Sequence, residues 1–235
     1  MPPRPPPPPG ALTVLQTIAA LAAVWVTVAL DQLLRGLVGA AMGIAWRGIT
    51  LDAAHGWVPV VVQGPGTPAT IGGVALVALA GAAAAPLLAL GLASASTAFR
   101  GSGWLRGFAL AWLVVAFLWL PTALAAAAVP SGAGPVAELY QRLGEPQAGR
   151  WAALALGLVL LGLVAGPLSG AAIGVGRSWM RADGVEFRRR LVRVVAGWPG
   201  LVATGALLGL MGWARTPWLA PWPLAVLAAL HLRTR

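Results

Sequence analysis

Residues 26–51, VTVALDQLLRGLVGAAMGIAWRGITL, set an acid, an amide and a base into an otherwise apolar helical stretch. Charges inside a hydrocarbon-length segment are expensive, which makes Asp31, Gln32 and Arg35 functional candidates by default. Asp31 and Arg35 stand at i and i+4, one turn apart on one helix face, with the acid N-terminal, the better order for a pair. Two readings stay open for them. One is a structural ion pair near the membrane interface, partly snorkelling; the other is a role in a polar cavity within the bundle.

The surroundings of that stretch set the class. The chain has 235 residues, 59% hydrophobic and 9% charged, with a mean hydropathy of +0.82. A soluble domain carries about 25% charged residues, so the composition indicates a polytopic integral membrane protein. With no Cys there is neither a disulfide framework nor a thiolate metal site. All 16 basic residues are Arg, which fits the base composition of a GC-rich genome, as does the excess of Ala, Gly, Pro and Trp. The formal charge of +10 follows the loops of a membrane topology, and no nucleic-acid motif accompanies it, so no nucleic-acid partner is expected.

Residues 1–10, MPPRPPPPPG, favour polyproline II and read as a disordered or semi-rigid tail, with 11–235 a single transmembrane domain. A span needs roughly 20 residues. Six apolar stretches qualify or nearly so: 11–46, 70–94, 107–129, 151–176, 191–213 and 216–232. The first exceeds one crossing, so its part beyond Arg35 is expected to run into the interface and end at Trp46. The last begins among Pro217, Pro221 and Pro223, which predicts a late start or a kink. With six spans, Arg4, Arg100, Arg106, Arg177, Arg181, Arg188, Arg189, Arg190, Arg193, Arg233 and Arg235 share one side. Arg47, Arg142, Arg150 and Arg215 share the other, balanced by Asp52, Glu138 and Glu145. The positive-inside rule then places both termini in the cytoplasm of a cell-membrane protein. Trp46, Trp104, Trp151, Trp179 and Trp213 fall at predicted span ends, as interfacial tryptophans do.

Between the first two spans, Arg47 to Ala69 predicts a small β-hairpin or re-entrant loop. Ile49-Thr50-Leu51 and Val58-Pro59-Val60-Val61-Val62 are its strands, and Gly64-Pro65-Gly66 is the exit turn. The fold expected is therefore all-α with one small β element.

The frame Asp31-Gln32-Leu33-Leu34-Arg35, then small and apolar residues, Gly43 and a strand-like Arg47-Gly48-Ile49-Thr50-Leu51, resembles the site-2-protease family of intramembrane zinc metalloproteases. The corresponding helix of that family reads H-E-x-x-H, two His binding zinc from one face with the Glu as general base. Asp31 stands at the first His position, Gln32 at the Glu position and Arg35 at the second His position. Asp could ligate zinc, but Gln cannot act as a base and Arg has no lone pair. The resemblance thus implies a pseudoprotease with no cofactor, no metal ligand set and no catalytic residue.

Two further features are similar to that family. A β element after the metal helix aligns substrate there, and Val77-Ala78-Leu79-Ala80-Gly81 with Pro86 looks like its small-residue helix beside the metal helix. The loop 130–150 resembles the region of its third ligand, yet contains no Asp. Glu138 there reads more simply as a first-turn helix acid. In the family the motif lies near the cytoplasm, whereas the charge pattern puts Asp31 near the outer end of its span. Either the chain is inverted, or residues 37–46 complete a second crossing.

Elsewhere the candidates are plainer. Gly162, Gly166, Gly170 and Gly174 recur at steps of four and predict a close helix-packing face, within the chain or toward a partner. The segment RSWMRADGVEFRRRLVR reads as a cytoplasmic loop and topogenic anchor at anionic headgroups, with Pro167 kinking the span before it. His55 reads as a loop residue and His231 as a helix-end cation; two distant His with no Cys do not make a zinc site. The serines lack a His partner, and no phosphate loop is present. The function expected is a catalytically inactive site-2-protease-like protein that holds another membrane protein. Its alternatives are a small transporter or channel with Asp31 and Arg35 in its polar pathway, and an accessory subunit packing through the glycine face.

Overall fold

The computed structural model describes residues 9–53, 57–66, 70–98, 103–127, 147–180, 184–195, 199, 201–203 and 205–206. In chain order the elements are α1 (Pro9–Ala41), β1 (Trp46–Asp52), β2 (Val58–Gln63), α2 (Ile71–Ala98), α3 (Gly103–Ala127), α4 (Gln147–Met180) and α5 (Gly184–Val195). The first four helices, α1 to α4, are each long and apolar enough to cross a membrane.

The third helix is the hub of the bundle, packed against α1, α2 and α4. Its residues 113–119 are buried all round, as a helix with no polar face must be. The other helices turn apolar residues outward. On α1 these are Val14, Leu15, Ile18, Leu21, Trp25, Leu33 and Leu37. Four polar residues of α1 take the opposite face: Gln16, Thr27, Asp31 and Arg35 are all buried. An apolar exterior around a polar interior stripe is the arrangement a hydrocarbon solvent selects.

Prolines lie inside α2, α3 and α4 without ending them. Beside two of them a hydroxyl bonds a carbonyl one turn back: Thr122 Oγ1 to Leu118 O at 2.6 Å and Ser169 Oγ to Gly166 O at 2.7 Å. Such local bonds help helical prolines persist in membranes.

Four of the predicted spans have counterparts here, with corrected bounds. The first begins at Pro9, inside the predicted tail, where proline suits the first helical turn. It ends at Ala41 and does not run on to Trp46. Gly43, at φ +86°, closes the helix in a Schellman motif, with Ile44 N donating to Gly39 O at 2.9 Å and Gly43 N to Ala40 O at 3.1 Å. Residues 37–46 therefore make no second crossing; the chain reverses into the hairpin. The fifth predicted span loses its start to α5, a 12-residue amphipathic helix that takes in residues 191–195. Beyond it only 199, 201–203 and 205–206 are described, all helical, and 216–232 lies outside the described residues, so six spans reduce to four among the residues described.

The predicted hairpin is present as an antiparallel pair with Ile49 opposite Val61 and Leu51 opposite Pro59. A bulge between Trp46 and Gly48, with Gly48 at φ +122°, turns the Trp46 side chain back toward α1.

Candidate functional site

The site forms where α1 meets α2 on one side and the hairpin on the other. Asp31 is completely buried and Arg35 nearly so, at 0% and 8% exposure. Of the two readings left open by the sequence, this burial is the one a polar site within the bundle calls for. A buried carboxylate and guanidinium are tolerable in such surroundings only with hydrogen-bonding or ionic partners, and both residues have them.

Gly81 of α2 is the reason the two helices meet at Asp31. A Cβ on Gly81 would overlap Asp31 Cα and stand 2.5 Å from Asp31 Oδ1. The α2 backbone thus lies directly on the α1 backbone at the acid, a distance only glycine permits. A turn before it, Thr27 Oγ1 donates to Ala23 O at 2.8 Å and accepts from Trp112 Nε1 of α3 at 3.1 Å. Near the start of α1, Gln16 Nε2 donates to Gly107 O of α3 at 3.0 Å. The polar stripe of α1 is bonded to α3 at two levels and backed by α2 at a third.

The other side of α1 carries the hairpin. Gln32 Oε1 accepts the Val61 amide of β2 at 2.9 Å. Pro59, two residues earlier and of the same strand parity, has no amide to satisfy, so the β2 edge toward α1 leaves neither position with an open donor. Two glycines let the strands come close. A Cβ on Gly36 would lie 2.7 Å from Trp46 Nε1 and 3.1 Å from Val61 Cγ2, and one on Gly39 would lie 2.8 Å from Gln63 Nε2. At the hairpin tip, Trp25 Nε1 donates to Trp57 O at 3.1 Å. These contacts, from Gly39 back to Trp25, lay the hairpin along about 21 Å of α1. Outward it offers Ile49, Leu51, Trp57, Val60 and Val62.

As a donor set the motif does not suit zinc. It offers one carboxylate, one amide oxygen already accepting from Val61, and a guanidinium with no lone pair. Among the described residues no three His, Cys, Asp or Glu side chains gather. His55, His231 and Glu138 lie outside the described residues.

Beside Gly162, Gly170 and Gly174 no described residue stands within 4 Å, and these three face outward. Among the described residues, helical glycines that meet a neighbouring element closely include Gly36, Gly39, Gly81 and Gly176, and of these four Gly81 falls in a segment the sequence marks for packing. Compared with protein-family models, curated proteins and solved structures, the chain finds no match.

Proposed function

We propose that this chain is a catalytically inactive, site-2-protease-like membrane protein that holds another membrane protein against its hairpin. The observation that carries the reading is the use of the Glu-equivalent position. Gln32 is committed to the Val61 amide, so the residue at the place of a general base serves as a clamp for the β element. The frame around it supports the same ancestry: a polar motif helix, a hairpin folded back on it, and a small-residue helix whose Gly81 abuts the first motif position. The orientation that goes with this reading has the N-terminus and α5 in the cytoplasm, by the positive-inside rule. The apolar sequence after α5 supplies two further crossings and returns the C-terminus to the same side.

Protein purified from membranes is expected to carry no stoichiometric zinc and to leave transmembrane substrates uncut. A photo-crosslinker at Leu51 is expected to capture one membrane protein, and Gln32→Leu is expected to abolish that capture. Stoichiometric zinc, or capture indifferent to Gln32, overturns the proposal. A transport reading draws on the buried stripe of Gln16, Thr27, Asp31 and Arg35; it requires solute flux that Asp31→Ala removes while hairpin capture survives.

A further inference from the structure

The segment after α4 carries a second surface. Gly184, at φ +61°, begins α5 and reverses the chain. Phe187 and Leu191 are buried, and a Cβ on Gly176 would meet Leu191 Cδ1 at 3.0 Å and Phe187 Cε2 at 3.2 Å. Gly176 lies about one turn before the end of α4. The short helix therefore lies across the end of a membrane-length helix and does not prolong it, which puts it at headgroup depth.

The helix is rich in arginine. Arg189 is exposed, Arg190 is partly exposed and bonded to Glu186 at 3.0 Å, and the sequence of the same helix adds Arg188 and Arg193. Val185, at the start of the same helix, is 65% exposed. An exposed valine and exposed arginine on one short helix, held at the end of a span, match a phospholipid boundary: valine meets acyl carbon and arginine meets phosphate.

We infer that α5 is a binding ledge for anionic phospholipid headgroups, held in place by Phe187 and Leu191 on Gly176. This goes beyond a topogenic role, which ends once the chain is inserted, because it requires lipid to be bound by the folded protein. It does not depend on the protease-like reading.

The test uses full-length protein in nanodiscs of phosphatidylcholine with a minor fraction of phosphatidylglycerol, followed by native mass spectrometry of co-released lipid. Wild type is expected to retain phosphatidylglycerol over phosphatidylcholine. Arg189→Gln with Arg193→Gln should cut that preference by about 25-fold, at roughly fivefold per arginine near a charged surface. Arg189→Lys with Arg193→Lys should keep it, since charge is what is recognised. Phe187→Ala should lose it by undocking the helix with every arginine present. The idea is overturned if the glutamine variant retains phosphatidylglycerol as wild type does, or if wild type retains both lipids equally. It is also overturned if millimolar inorganic phosphate displaces the lipid, which would make the ledge a site for free anions.

Discussion

At neighbouring positions α1 holds two partners by opposite means. On the Asp31 side it meets α2 backbone to backbone, and the contact exists because Gly81 has no side chain. On the Gln32 side it meets the hairpin through a long side chain whose oxygen reaches the Val61 amide. The first contact is a matter of volume, rigid and intolerant of any added atom. The second rests on side-chain hydrogen bonds, from Gln32 to Val61 and from Trp25 to Trp57, supported by two glycines, so it should release the hairpin without unfolding the bundle. The difference teaches where the molecule can move: the helix pair is fixed, and the hairpin is the separable part.

The volume contact should give the largest effect when challenged. Gly81→Ala forces a methyl group into Asp31 and must part α1 from α2, with an expected loss of about 3 kcal/mol, at the upper end for overpacking. Unfolding in mixed detergent, followed by tryptophan fluorescence, measures it. A variant as stable as wild type would mean that the helices do not touch at Asp31. Gln32→Leu tests the other side. It strands the Val61 amide at an expected cost of about 1–2 kcal/mol, confined to the hairpin. Exchange of the Val61 amide should quicken by about tenfold while the unfolding midpoint of the bundle moves little. If bundle and hairpin lose stability together, the two sides of α1 are one cooperative unit and the contrast fails.

Much of this architecture was readable from the residues alone, for a physical reason. Long apolar runs declare membrane-length helices, and Ile49 to Leu51 with Val58 to Val62, closed by Gly64-Pro65-Gly66, declare a hairpin. The end of α1 was harder, because Met42, Ile44 and Ala45 continue the apolar run past the point where Gly43 stops the helix. Similarly, Leu191, Val192, Val194 and Val195 merge by hydropathy with the apolar residues after them. Only the spacing of Phe187 and Leu191 against the arginines separates α5. Within the site, Asp31, Gln32 and Arg35 stand out in any apolar helix, but their partners do not. Spacing along one helix tells which residues share a face and nothing of what stands opposite. For that reason the regular glycines of α4 stand out in the sequence, whereas Gly36, Gly39 and Gly176, which meet close neighbours, do not.

That last contrast gives the smallest and most discriminating prediction. Replacing a helical glycine by alanine gains roughly 1 kcal/mol of helix propensity wherever the added methyl meets nothing. At Gly170 no described residue lies within 4 Å, so Gly170→Ala should stabilise the protein by nearly that amount. At Gly36 the methyl would stand 2.7 Å from Trp46 Nε1, and the indole would have to leave its 3.0 Å bond to Gly48 O. Loss of that bond costs about 1 kcal/mol, so Gly36→Ala should leave global stability nearly unchanged while shifting Trp46 emission. The same substitution, made at two glycines of two membrane-length helices, thus reports separately on a face that is open and a face that is taken. Should Gly170→Ala instead destabilise the protein in its native membrane but not after purification, the α4 face has an occupant there, and the regular glycines regain the packing role their spacing suggests.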